Sequence, residues 1–421
     1  MSPVRALYPL CALFLLVAAV LASHQAGAQP VSGPDAGPDW RDMNRVVVDG
    51  HIIPRYQALA QAMQALDAQI GALCGSPTEA NLALVRGGFG IALDAWNGIS
   101  HIRFGPVETE QRYFRFQLWP DKRGTGQRQV RQLLADQDRA RLDPAVFARD
   151  SVAVQGLSAL EMLLFPEEEV GVADFAAEGG PSYRCHFAQA IGDNLAGMSG
   201  ATLADWTQGD QPYRRTLLEP APAQGVPGGP ATPGVAPSAG AGAGRFSDDQ
   251  AVSAELLKTL NTGAQVIHEL KLPLPAVPAT GGTGPRKGEA WRSRRSLGNV
   301  CTNLRALEHL YATGFALRLR ASPEAAEVDQ GVALTLAAAV SACLSLPAAA
   351  LDEPLGAEVV SEQAPGQAPE EAPGETPERA VQRRKALEDL RDLAGALQAR
   401  TGRPLAEQLG LLVGFNSLDG D

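Results

Sequence analysis

Apolar side chains recur along residues 52–73 at alternating intervals of four and three: Ile52, Tyr56, Leu59, Met63, Leu66, Ile70 and Leu73. That spacing lays one apolar stripe along a helix and predicts a long helix suited to a bundle seam. Pro54 falls in its early turns, so the helix begins or bends there. Similar periodicity predicts helices over 77–104, 126–138, 181–206, 248–271, 288–320, 323–346 and 378–400. Asp143 and Pro144 form a helix start, with Asp as N-cap and Pro at the first helical position. The helix that follows carries "GLSALEMLLF" (156–165) and ends at Pro166.

No segment sustains the alternation of a strand. The predicted fold class is all-α, with two antiparallel helical-bundle domains. The first domain spans 44–215. Residues 216–246, rich in Pro, Gly and Ala, read as a disordered linker. The second domain spans 247–347. An acidic, Pro-rich insertion at 352–377 also reads as disordered, and residues 378–421 complete the second domain.

Composition supports this picture. The 421 residues are 45% hydrophobic and only 5% aromatic, which favours close-packed helices over sheets. Residues 1–28 have the form of a secretory signal: Arg5, an apolar core and a small-residue site at Ala26–Ala28. The alternative is a retained membrane anchor, for which the apolar core is short. Cys11 lies inside that core, away from the expected cut, which argues against lipidation. Removing Arg5 takes the 36 basic residues to 35 against 47 acidic ones, a net charge of −12. That balance argues against nucleic acid as a partner, and no transmembrane segment is expected after signal removal.

Four cysteines then remain: Cys74, Cys185, Cys301 and Cys343. In an exported chain they suggest two disulfides, with three connectivities open. One pair falls in each half, so Cys74–Cys185 and Cys301–Cys343 are expected. Free buried thiols are the alternative.

Candidate chemistry is sparse. H-E-x-x-H is absent, and no two of His51, His101, His186, His268 and His309 are three or four apart. A local zinc site is therefore not encoded, although a site assembled from distant helices stays open. "GLSAL" and "GMSGA" miss the serine-hydrolase elbow. "GGTGPRKG" (281–288) lacks the Ser or Thr of a P-loop. What stands out is Glu161, a lone charge in an apolar run, which is costly to bury unpartnered. Ser158 shares its helix face. "WRSRRSLGNV" (291–300) places Arg292, Arg294 and Arg295 together, with Arg305 and Glu308 following. Glu161 is expected to be buried and ion-paired with an arginine of the 292–295 cluster, and these groups could line a pocket between helices.

Those segments resemble the imelysin family. "GLSALEMLLF" is similar to its G-x-H-x-x-E motif, and "WNGISHIRFGP" (96–106), "YFRFQLWPD" (113–121), "WRSRRSLGNV" and "GFNSLDGD" (414–421) resemble family segments in the same order. The resemblance implies an exported, cell-envelope protein of a Gram-negative bacterium, located in the periplasm. It implies two helical bundle-like domains with a site between helices, a peptidase name and a link to iron uptake. The motif's Gly is Gly156 and its Glu is Glu161, but Ser158 replaces its His. A hydroxyl is a poor transition-metal ligand and a poor general base. The leading expectation is a non-catalytic binding component linked to iron acquisition. One alternative is a metallopeptidase holding iron or zinc at Glu161, with His309 and Glu308 as further ligands. Another is a structural protein that docks an envelope partner. An iron-containing ligand and an envelope protein are the partners these readings imply.

Overall fold

The apolar stripe forms part of one continuous helical run. Helix α1 (Trp40–Val47) leads through a π-helical turn, Val48–Ile52, into α2 (Ile53–Gly75). The run thus starts earlier than the stripe predicts. Pro54 lacks an N–H and would crowd the carbonyl four residues back in a regular α-helix. The wider π turn immediately before it accommodates both defects. The computed structural model describes residues 39–167, 170–221, 245–272, 288–352 and 376–412. The expected signal peptide, most of both Pro-rich stretches, "GGTGPRKG" up to residue 287 and "GFNSLDGD" lie outside the described residues.

Thr78 caps α3 (Glu79–Asn97) by accepting from the Asn81 N–H. Short helices follow: α4 (Arg112–Phe116), α5 (Thr125–Asp136), α6 (Pro144–Phe147), α7 (Val152–Gln155) and α8 (Leu157–Leu164). The single helix expected after Pro144 is thus broken into three. The last break falls at Gly156, where a Cβ would stand 2.5 Å from the Arg115 carbonyl oxygen and 2.6 Å from that of Phe116. Only glycine allows backbone to approach backbone that closely. Among the described residues the only sheet is a two-residue hairpin, β1 (Ala176–Ala177) with β2 (Gly180–Pro181).

The long helix α9 (Tyr183–Thr207), capped by Ser182, packs along α2, and α2 packs on α3. Helix α10 (Tyr213–Leu218) buries Leu217 and Leu218, so ordered structure runs past residue 215. In the second half, Asp248 caps α11 (Asp249–Gln265), which passes into a second π-helical stretch, Val266–Lys271. Then come α12 (Ser296–Thr313), α13 (Phe315–Leu319), α14 (Ala326–Ser345), α15 (Pro377–Thr401) and α16 (Arg403–Leu409). Helix α12 starts at Ser296, so residues 291–295 form a turn, with Arg294 left-handed at φ 57°. The arginine cluster does not ride on a helix as expected.

Both expected disulfides form. Cys74, at the end of α2, joins Cys185, at the start of α9; Cys301, near the start of α12, joins Cys343, near the end of α14. Each bridge links the end of one helix to the beginning of another, which fixes those pairs as antiparallel. One continuous apolar cluster runs through both halves, from Met43 to Leu411. The stretch Pro323–Ser345 is long and apolar enough by composition to cross a membrane. Here it is tied to α12 by the Cys301–Cys343 bridge, and its Asp329 accepts from the Tyr311 hydroxyl at 2.7 Å.

Candidate functional site

Helix α8 presents Glu161 to the turn before α12. The residue is 6% exposed. Its Oε1 accepts the Ser293 backbone N–H at 2.8 Å and lies 2.7 Å from the Ser293 hydroxyl. Burial pushes the Glu161 pKa up and Glu289 adds to the rise, while the Ser293 bonds and Arg292 pull it down. The expected direct ion pair with an arginine is not formed. Arg292 acts on Glu161 through space, stacks on the Trp291 ring at 4.4 Å and reaches Glu167 at 3.5 Å. Arg295 pairs with Asp94. The cause is local backbone geometry: the turn at 291–295 aims the Ser293 N–H at α8, while Arg292 turns to Trp291 and Glu167 and Arg295 to Asp94. Glu308, half-buried on α12, has no hydrogen-bond or ion-pair partner among the described residues.

The motif position fits a metal poorly. The Ser158 hydroxyl donates to the Leu118 carbonyl at 3.1 Å, and Glu161 Oε1 is already saturated. Among the described residues no group of three or more His, Cys, Asp or Glu side chains is placed to hold a metal ion. His309 lies against His51 instead of Glu161. The donor set around Gly156, Ser158 and Glu161 does not suit the metal that the family motif implies.

A second polar group lies deeper, where the halves of the chain meet. The π-helical stretch after α11 ends on Lys271, whose ammonium donates to Glu289 at 2.6 Å, Asn97 at 2.7 Å and Asn303 at 2.7 Å. All three of its protons are thereby satisfied, as a buried ammonium requires. Asn299 donates to the same Glu289 oxygen at 2.8 Å, and Asn303 to the Asn97 carbonyl at 2.6 Å. Burial lowers the Lys271 pKa and Glu289 opposes that shift. Beside this cluster is a cavity of ≈ 40 Å³, lined among others by Trp96, His101, Arg103, Tyr113, Trp119 and Lys271. That is room for water or a small ligand group. Arg103 lies 4.9 Å over the Tyr113 ring and has no carboxylate partner among the described residues.

Three histidines form a line that reaches the cavity at His101, which is among its lining residues. His51 Nδ1 lies 2.9 Å from His309 Nδ1, and His51 Nε2 lies 2.8 Å from His101 Nε2. His51 comes from the first π turn, His101 from the segment after α3, and His309 from α12. Burial lowers the pKa of each, and Arg55 adds to the effect on all three. The sequence names these histidines singly, with His309 only as a candidate metal ligand, and gives no sign that they meet or that Lys271 gathers a polar cluster. The sequence carries no spacing signal for them, because the two histidine pairs are separated by 50 and 258 residues.

Comparison with known proteins follows the same lines. A family profile described as Imelysin matches residues 52–397. No curated protein sequence matches the chain. Among solved structures, an imelysin-like protein from Psychrobacter arcticum 273-4 is similar with a TM-score of 0.63 at 14% identity, over 90% of this chain and 99% of that one. A protein from Parabacteroides distasonis, named as an iron-regulated protein A precursor, is similar with a TM-score of 0.58 at 12% identity, over 89% and 97%. At such identities the likeness is one of fold.

Proposed function

The chain belongs to the imelysin family, and on that footing we propose that it is an exported cell-envelope protein that binds a ligand without cleaving peptides, in the service of iron uptake. The observation that carries this reading is the state of the motif. Ser158 stands where the family has its histidine and spends its hydroxyl on Leu118. Glu161 spends one oxygen on Ser293. Neither a metal-ligand set nor a general base paired with an imidazole remains on α8.

Binding is supported by the cavity between the halves. Aromatic side chains line it, and the Arg103 guanidinium, held against Tyr113 with no carboxylate partner among the described residues, suits a small carboxylate or similar oxygen group. Two disulfides suit an oxidising compartment. The iron link is supported by the name of the Parabacteroides neighbour.

The test is a peptidase assay and metal analysis on the purified secreted protein, beside Glu161→Ala. No hydrolysis is expected with zinc or iron added, and no metal that depends on Glu161. Metal-dependent cleavage that disappears in Glu161→Ala would overturn the reading. In cells, deletion should slow growth in iron-poor medium and be without effect when iron is plentiful.

A further inference from the structure

The line of three histidines has a definite direction through the fold. His309 is exposed on α12, and its Nε2 has no partner among the described residues. His51 is fully buried. His101 is 6% exposed, lines the cavity, and its Nδ1 has no hydrogen-bond partner among the described residues. The string therefore starts at solvent and ends beside the cavity.

Two readings compete. In a metal site, ligand nitrogens converge on one point. Here they diverge: His51 offers opposite ring nitrogens to its two neighbours, so no single ion touches all three rings. In a hydrogen-bonded wire, each ring accepts with one nitrogen and donates with the other, as a neutral imidazole does. Both N···N distances are hydrogen-bond distances. Burial and the nearby Arg55 guanidinium keep the rings neutral, as a wire requires. Among the described residues, the charged and titratable groups facing the string are these three rings and Arg55, with Arg103, Lys271, Glu289 and Tyr113 lining the cavity at its inner end; the Thr313 hydroxyl lies 3.2 Å from His309 Nδ1.

We propose that His309, His51 and His101 form a proton wire between solvent and the cavity. Its steps balance. His309 takes a proton from water on Nε2 and passes its Nδ1 proton to His51 Nδ1. His51 passes its Nε2 proton to His101 Nε2. His101 releases its Nδ1 proton toward the cavity. One proton has moved inward, and all three rings now hold the opposite tautomer. Without any ring rotation the string is then set to carry one proton outward by the reverse steps. The wire is thus a one-in, one-out exchanger, suited to a ligand that gives up or takes up a proton on entering the cavity. This inference holds whatever the ligand and does not depend on the peptidase question.

The test uses the full secreted chain labelled with ¹⁵N-histidine. The proton between the Nε2 atoms of His51 and His101 is followed for exchange with water, and ring ¹⁵N shifts report the tautomers. In the wild type the three tautomers should interconvert together. In His309→Phe, which keeps the surface covered, exchange should slow by about 10²-fold, the scale of losing one positioned acid–base group. A purely structural histidine would leave that rate unchanged, and an unchanged rate in a folded variant overturns the wire. Fixed tautomers that never interconvert in the wild type would overturn it as well. If His309→Phe does not fold, His309→Gln decides by the same two outcomes, since an amide cannot relay a proton through a ring.

Discussion

At the scale of single residues, Glu161 shows how a sound expectation can name the wrong partner. An isolated carboxylate in an apolar helix must be buried with something that stabilises it, and it is. The partner is Ser293, through its N–H and hydroxyl, with Arg292 one step removed. The consequence for mutagenesis is specific. Glu161→Gln keeps an oxygen for Ser293 and removes a buried charge, so at pH 7 it should melt at or slightly above the wild-type temperature. Glu161→Ala leaves the Ser293 N–H unsatisfied and should cost about 1–3 kcal/mol. Chemical denaturation of both variants checks this. A large loss in Glu161→Gln would point back to a direct arginine pair.

Elements carry the second lesson. Helix existence follows from apolar period, and the long helices α2, α3, α9, α11, α14 and α15 lie close to where the pattern places them. Breaks inside apolar runs are less visible. The run from Pro144 to Phe165 divides at Gly156 because the Arg115 and Phe116 carbonyls press against its backbone. Gly156→Ala should therefore destabilise by about 1–3 kcal/mol, the scale of overpacking. Gly197→Ala, on α9, meets nothing within 4 Å and should stabilise by about 0.4–1 kcal/mol. Urea melts of the pair read the opposite signs directly. The two π turns are a different case. Each adds a residue to a helical turn, and each delivers a buried polar side chain to the interior, His51 from one and Lys271 from the other. Such insertions are frequent at functional sites, and periodicity alone does not mark them.

For the whole molecule, the two bridges close chain separations of 111 and 42 residues, which in the chain-entropy account is about 4–5 kcal/mol each. Stability should also depend on pH through the buried imidazoles. The His51 and His101 pKa values are depressed by burial, His101 to about 3. A base with a depressed folded pKa contributes stability above its unfolded pKa, near 6.5, and loses it as pH falls toward the folded value. Each should contribute a slope of up to about 1.4 kcal/mol per pH unit in that window. Glu161 works in the opposite sense: its raised pKa makes it stabilising when protonated, and that contribution is lost as pH rises through its folded pKa. Urea melts between pH 4 and 7 should show a slope that flattens in His101→Leu, and an unchanged slope would contradict neutral burial.

What the sequence by itself determined is what short-range chemistry encodes. Apolar period decides helix and face, so the all-α class was legible from the chain. Four cysteines divided between two halves gave the bridges. A lone charge in an apolar run marked Glu161 as buried, and the ordered motifs marked the family. The tertiary structure alone decided which faces meet. Lys271 finds Asn97 across 174 residues, Ser293 finds Glu161 across 132, and His309 finds His51 across 258. A helical repeat fixes the direction of a side chain relative to its own axis. Where that axis lies, and what stands opposite, is set by packing of the whole core and by two π turns that shift the register just where the polar interior is built.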